Sequence, residues 1–162
     1  VKQAEVHGMS QRGGAVQSHL RLSREHIFSE LIPKGEADLI LSVEPLETLR
    51  YLDYLRLEGT IVSSRSPFVN IPDYPDPETV LARIKQVRRH VIVDSETLAK
   101  QAGSFRTQNM VMLGAASGSL LVQKENLIEF IGVLFKGRGE KVVEASLRAF
   151  ELGQQVADHQ AK

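Results

Sequence analysis

The sequence predicts an α/β protein of three α/β/α layers built on a mostly parallel sheet. Three observations carry that expectation. Short apolar runs at 39–43, 60–63 and 90–93 have the continuous hydrophobicity of strands covered on both faces. Residues that favour helix starts, Glu44-Pro45, Asp76-Pro77 and Asp94-Ser95, follow or punctuate those runs. Stretches with helical spacing of apolar residues lie between them, and strands alternating with helices imply parallel pairing.

In chain order, residues 1–6 are short and extended, and residues 17–22 alternate in a strand-like way. A glycine-rich turn, 8–14, separates them. The strand at 39–43 leads into a helix opened by Pro45, where a missing N–H costs nothing. Leu46, Leu49, Leu52 and Leu55 give that helix its apolar face. Glu58-Gly59 turns the chain into the strand at 60–63. The stretch 66–77 holds four of the six prolines, Pro67, Pro72, Pro75 and Pro77, and is expected to be an ordered excursion. A helix is predicted over 76–86, a strand over 90–93, and a helix capped by Asp94 or Ser95 that runs to Ala102. An apolar helix over 109–121 contains Gly114, Ala115, Ala116 and Gly118, small residues that admit a close helix contact. Two helices finish the chain. One carries Leu127, Phe130, Ile131 and Leu134 on one face, and the other, from about Glu140, carries Val143, Leu147 and Phe150. The break between them is Lys136-Gly137-Arg138-Gly139.

The 162 residues fit one domain, expected over 1–162, with no repeat or low-complexity tract. At 42% hydrophobic and 25% charged, the composition is that of an ordinary globular protein. Twenty basic residues balance twenty acidic ones, so the overall basic field that nucleic acid or an anionic membrane attracts is absent. No apolar run approaches the roughly 20 residues that span a bilayer, and no signal-peptide pattern opens the chain. The expectation is a cytoplasmic protein. The chain starts at Val1 without an initiator methionine and goes directly into strand-like material, as a chain entered partway through a domain would.

The absence of cysteine excludes disulfides, a thiolate nucleophile and a cysteine-ligated iron–sulfur cluster. Any redox centre must then lie on another chain. His7, His19, His26, His90 and His159 show no metal-ligand spacing, and there is no Gly-x-Ser-x-Gly nucleophile elbow. The segment with the most chemistry is His7-Gly8-Met9-Ser10-Gln11-Arg12-Gly13-Gly14. Its glycines allow close backbone approach, exposed N–H groups in such a loop cradle anions, and Arg12 offers a forked donor for carboxylate or phosphate. It matches neither the dinucleotide fingerprint nor the P-loop. A tight turn whose arginine pairs with an acid such as Glu5 is the alternative. Taken alone, the residues define an α/β protein with one loop suited to a ligand or partner.

The same loop, followed by Gln17-Ser18-His19-Leu20-Arg21-Leu22, resembles the gamma-domain family of 2-oxoacid:ferredoxin oxidoreductases, in which a Gly-x-x-Gln-Arg-Gly-Gly core recurs. Met9 and the small residue before Gln11 are closer to its indolepyruvate branch, as is Tyr74-Pro75-Asp76. The likeness continues through Ala37-Asp38-Leu39-Ile40-Leu41, Glu44-Pro45-Leu46-Glu47, Leu57-Glu58-Gly59-Thr60-Ile61-Val62, Leu113-Gly114-Ala115 and Ala149-Phe150-Glu151-Leu152-Gly153. One departure is large. The family's opening strand, Gly-x-Gly-Gly-Gln-Gly-like turn and first helix are not in this sequence, so the N-terminal βα unit is missing and one central strand with it.

The resemblance implies a small subunit without catalytic activity of its own. A large partner subunit holds thiamine diphosphate and the iron–sulfur clusters, decarboxylates the 2-oxoacid and passes electrons to ferredoxin, while coenzyme A takes the acyl group. Ser10, Gln11, Arg12, Gly13 and Gly14 are the expected contacts to an anionic cofactor or partner. A gamma subunit of a pyruvate, 2-oxoglutarate or branched-chain enzyme, and a stand-alone scaffold protein of the same family, are the rival readings.

Overall fold

The structure, a computed structural model, describes residues 1–7, 16–69 and 71–160. β1 (Lys2–His7) and β2 (Val16–Arg21) form a two-stranded antiparallel ladder, with Lys2 opposite Arg21 and Val6 opposite Gln17. The ladder is anchored by His19, which is 6% exposed. Its Nδ1 accepts from the Ile32 N–H at 3.0 Å, its Nε2 meets the Gln17 amide, and its ring stands edge-on to Tyr54 at 5.7 Å. The Arg21 guanidinium donates to the carbonyls of Ser29 and Leu31 at 3.0 and 3.1 Å. One histidine and one arginine therefore supply directional bonds that so small a ladder cannot supply itself.

The second sheet has three parallel strands in the order β3 (Ala37–Ser42), β4 (Leu55–Ser64) and β5 (His90–Val93). Successive side chains point to opposite faces, so Ile61 and Ile92 serve one layer while Val62, Val91 and Val93 serve the other. On the first face lie α1 (Pro45–Arg50) and α2 (Pro77–Ile84), with Val80, Leu81 and Ile84 packed on Ile61. On the second lie α3 (Ser95–Gln101), α4 (Gln108–Ala116) and, beyond α5 (Lys124–Phe135), the long α6 (Glu140–Gln160). This is the expected three-layer α/β/α arrangement, with antiparallel pairing among the described residues confined to β1 and β2.

Helix starts are fixed locally. Glu44, Asp76 and Asp94 each accept from a backbone N–H three residues on, at 2.8, 2.9 and 3.1 Å, and proline occupies the first turn of α1 and α2. Gly139, at φ +95°, makes the break before α6 in a conformation that costs glycine little.

Several expectations change. The run at 39–43, expected to be covered on both faces, is only partly so: β3 is an edge strand among the described residues, and Leu41 is 43% and Val43 60% exposed. The four leucines predicted for one helix are shared: α1 stops at Arg50, Leu52 falls in a 3-10 turn and Leu55 begins β4, yet all four pack in the same cluster. β4 is longer than the run at 60–63. α4 stops at Ala116, where Ser117 Oγ donates to the Gly114 carbonyl at 2.7 Å and a 3-10 turn, Ser117–Ser119, follows. On α5 only Ile131 is buried; Phe130 and Leu134, predicted to share its face, are exposed. Among the described residues no helix is long and apolar enough to cross a membrane.

α4 and α6 meet at the closest helix contact of the core. A Cβ placed on Gly114 would lie 1.9 Å from the Phe150 carbonyl oxygen, and one on Gly153 would lie 1.9 Å from that of Val111. Both obstacles are backbone, so neither can rotate away. Gly114→Ala and Gly153→Ala are each expected to cost about 1–3 kcal/mol or more through overpacking. Gly132→Ala, in open space within α5, is expected to stabilise by about 0.5–1 kcal/mol. Denaturant melts of the three variants check this, and equal effects would overturn it.

Candidate functional site at the carboxyl edge of the parallel sheet

Open parallel sheets bind ligands outside the carboxyl ends of their strands, where loops diverge and helix N-termini converge. Here those ends are Ser42, Ser64 and Val93, and the residues that follow them are Glu44, Arg65-Ser66 and Asp94-Ser95. Two buried hydroxyl pairs lock the helices to the strand ends: Thr48 Oγ1 with Ser63 Oγ at 2.8 Å and Ser64 Oγ with Ser95 Oγ at 2.9 Å. Buried hydroxyls need partners. These satisfy one another and give no serine–histidine pair, so they are structural.

Arg65 is held by its backbone, whose N–H donates to the Val93 carbonyl at 2.8 Å, while its side chain is exposed. It borders a cleft of about 320 Å³ with an apolar floor of Leu81, Ile92, Leu98 and Val156 and a rim that includes Lys85, Glu78 and Asp94. The cleft continues into a hollow lined by Ser66, Pro67 and Glu96. Among the described residues neither Arg65 nor Lys85 forms an ion pair, whereas the Asp94 carboxylate is occupied in capping α3. The rim therefore carries both charges, Arg65 and Lys85 against Glu78 and Asp94, above an apolar floor, a lining suited to a ligand with an apolar body and polar groups of its own.

On the other side of Arg65, Glu44 gathers three donors. One oxygen accepts from the Glu47 N–H; the other accepts from the Tyr74 hydroxyl and, at 3.5 Å, from the Phe68 N–H. Burial, then the hydrogen bond to Glu44 and the charge of Glu44, push the Tyr74 phenol well above its ordinary pKa.

The loop residues Ser10, Gln11, Arg12, Gly13 and Gly14 lie outside the described residues. The strands they join are antiparallel and separate from the parallel sheet. The carboxyl edge of the parallel sheet therefore lends this loop no support, and its case rests on its chemistry alone. Glu44, Arg65 and Tyr74 were missed as site residues. Only Arg65 carried a local signal, because Ser64-Arg65-Ser66 follows an apolar strand directly, as Asp94-Ser95 does; nothing in the sequence joins Glu44 to Tyr74.

No group of three or more metal-ligating side chains is assembled among the described residues, and the chain has no cysteine. That donor set does not fit an iron–sulfur cluster, and no redox step is assigned to this chain. Fold and site thus define a layered α/β unit with a cleft at the carboxyl edge of its parallel sheet.

Residues 1–156 match the family described as pyruvate ferredoxin/flavodoxin oxidoreductase, and the chain belongs to that family. The indolepyruvate oxidoreductase subunit IorB of Thermococcus kodakarensis is 33% identical, over 97% of this chain and 81% of that protein. Its counterpart in Methanothermobacter thermautotrophicus is 34% identical, over 94% of this chain and 80% of that protein. A 2-oxoglutarate:ferredoxin oxidoreductase from Magnetococcus marinus, solved with 2-oxoglutarate, coenzyme A and succinyl-CoA bound, has the same fold at TM-score 0.71 and 21% identity. It is matched over 97% of this chain and only 25% of its own.

A phenol whose pKa is higher folded than unfolded binds its proton more tightly in the native state. The associated stability is intact below the unfolded value of about 10 and drains away as pH rises. Melting temperature should therefore fall across alkaline pH, and Tyr74→Phe should remove part of that fall. Parallel ultraviolet phenolate titration should show one late-titrating group fewer in the variant; an unchanged titration would contradict the assignment.

Proposed function

We propose that this chain is the small, cytoplasmic subunit of an indolepyruvate (aryl 2-oxoacid):ferredoxin oxidoreductase, supporting a coenzyme A-dependent oxidative decarboxylation carried out on a larger partner subunit. The observation that carries the reading is that four relatives, 31–34% identical over 93–97% of this chain, all bear the name of one subunit of the indolepyruvate enzyme. The cysteine-free sequence supports the division of labour. Thiamine diphosphate and the iron–sulfur clusters belong to the partner, which loses carbon dioxide from the 2-oxoacid, sends electrons to ferredoxin and yields the acyl group to coenzyme A.

Within that scheme the small subunit, which we assign to one domain over 1–162, binds and positions. We assign the carboxyl-edge cleft to a co-substrate such as coenzyme A, with Arg65 and Lys85, which share the rim with Glu78 and Asp94, facing its anionic groups and the apolar floor its carbon chain. Ser10, Gln11, Arg12, Gly13 and Gly14 supply backbone N–H, amide and guanidinium donors for the same kind of group or for the partner's backbone.

The purified chain alone is expected to show no turnover, and activity with indolepyruvate, coenzyme A and an electron acceptor should appear on adding the large subunit. Turnover by the isolated chain would sink the proposal. Arg12→Ala should leave the melting temperature nearly unchanged, but weaken assembly or raise the Michaelis constant for coenzyme A by about ten-fold, the scale of one charged hydrogen bond. A large stability loss with normal kinetics and assembly would make the loop purely structural.

A further inference from the structure

The excursion between β4 and α2 displays apolar side chains that the fold does not use. Phe68 is 68%, Val69 64% and Ile71 38% exposed. Single exposed apolar residues are ordinary, but these three fall within four positions of one loop. Its first shoulder is fixed by the Ser66 N–H donating to Ser64 Oγ at 3.2 Å. The carboxylate of Glu44 then reaches both sides, through Phe68 N–H and the Tyr74 hydroxyl. Pro67, Pro72, Pro75 and Pro77 fix further backbone angles. Such a loop loses little entropy when something binds it, which is how preorganised recognition elements gain affinity.

Its charge is one-sided as well. Between Arg65 and Arg83 there is no lysine or arginine, whereas Asp73, Asp76 and Glu78 follow the apolar residues within the same stretch. Ser66 and Pro67 also line the hollow that extends from the cleft, so whatever seats the loop comes to lie against the candidate ligand site.

We propose that Phe68 and Val69 insert into an apolar pocket with a Lys/Arg rim on the large partner subunit, and that Glu44 and Tyr74 are positioning residues for that insertion. The proposal rests on the reading of this chain as a subunit and identifies the surface it uses. A partner seated here would close over the cleft, bringing a bound co-substrate to the interface. A further exposed apolar stripe, Phe130, Val133 and Leu134 on α5, is followed in sequence by Lys136, Arg138 and Lys141; it makes a second copy of this chain the competing occupant of the loop.

The test uses the complex. The chain is co-expressed with its tagged large subunit, and assembly is measured by co-purification and by titration of the separated subunits. The double variant Phe68→Ser/Val69→Ser should weaken assembly about 100-fold or more, as loss of central apolar anchors does, while the melting temperature of the isolated chain stays unchanged. Tyr74→Phe, with every apolar side chain retained, should weaken assembly by about 3–10-fold, the scale of one net hydrogen bond. Phe130→Ser/Leu134→Ser should assemble normally. Wild-type assembly by the double variant, or disruption by the α5 variant alone, would overturn the proposal and leave the subunit reading intact. Self-association of the chain that the double variant abolishes, with heteromeric assembly unaffected, would overturn it in favour of a second copy. A wild-type chain that does not assemble with the large subunit would refute the subunit reading, and this one with it.

Discussion

The approach of α4 to α6 sets the geometry of everything on one side of the sheet. Two glycines allow it from opposite helices: Gly114 faces the backbone of Phe150, and Gly153 faces the backbone of Val111. With no side chain between the two backbones, Val111, Met112 and Ala115 share one cluster with Ala149 of α6 and Val62 and Val93 of the sheet, all nearly inaccessible to water. Such contacts tolerate no added methyl, since interiors are packed as densely as organic crystals.

The binding edge depends on that contact although it is remote from it in sequence. Val156, on the floor of the cleft, lies one turn beyond Gly153 on α6. At the end of the same helix the side-chain amide of Gln160 accepts from the Ile92 N–H at 3.0 Å and donates to the Ile92 carbonyl at 2.9 Å. A helix displaced by a bulkier contact would carry both away from β5. Arg65 and Lys85 would then stand over an altered floor, so a substitution in the core is felt at the surface through a rigid rod.

Layering was legible in the sequence because it follows from local signals: apolar runs, capping carboxylates and prolines at helix starts. The glycine contact was legible too, since small residues in an apolar helix have few other uses. Partnerships between distant segments were not. A run such as Leu39-Ile40-Leu41 has the same composition in an interior strand and in an edge strand, and only the presence of a neighbour decides which it is. The pairing of β1 with β2 was hidden for a related reason, because a half-exposed ladder has weak hydrophobic contrast. Glu44, Arg65, Tyr74 and Asp94 are scattered over fifty positions, and no motif ties them together; the parallel crossovers do. The glycine-rich loop was conspicuous by composition, yet the topology detaches its flanking strands from the parallel sheet.

The Gln160 amide has a consequence for growth of the sheet. A primary amide presents one donor and one acceptor side by side, as a residue of a neighbouring strand would, and it occupies both outward backbone groups of Ile92. On that flank a side chain has taken the place of a strand, a known defence against edge-to-edge association. The opposite flank, along β3, has no such plug among the described residues. The two flanks consequently differ in what they offer a passing strand: the outward backbone groups of Ile92 are taken on β5, whereas beside β3 the side chains of Leu41 and Val43 are exposed.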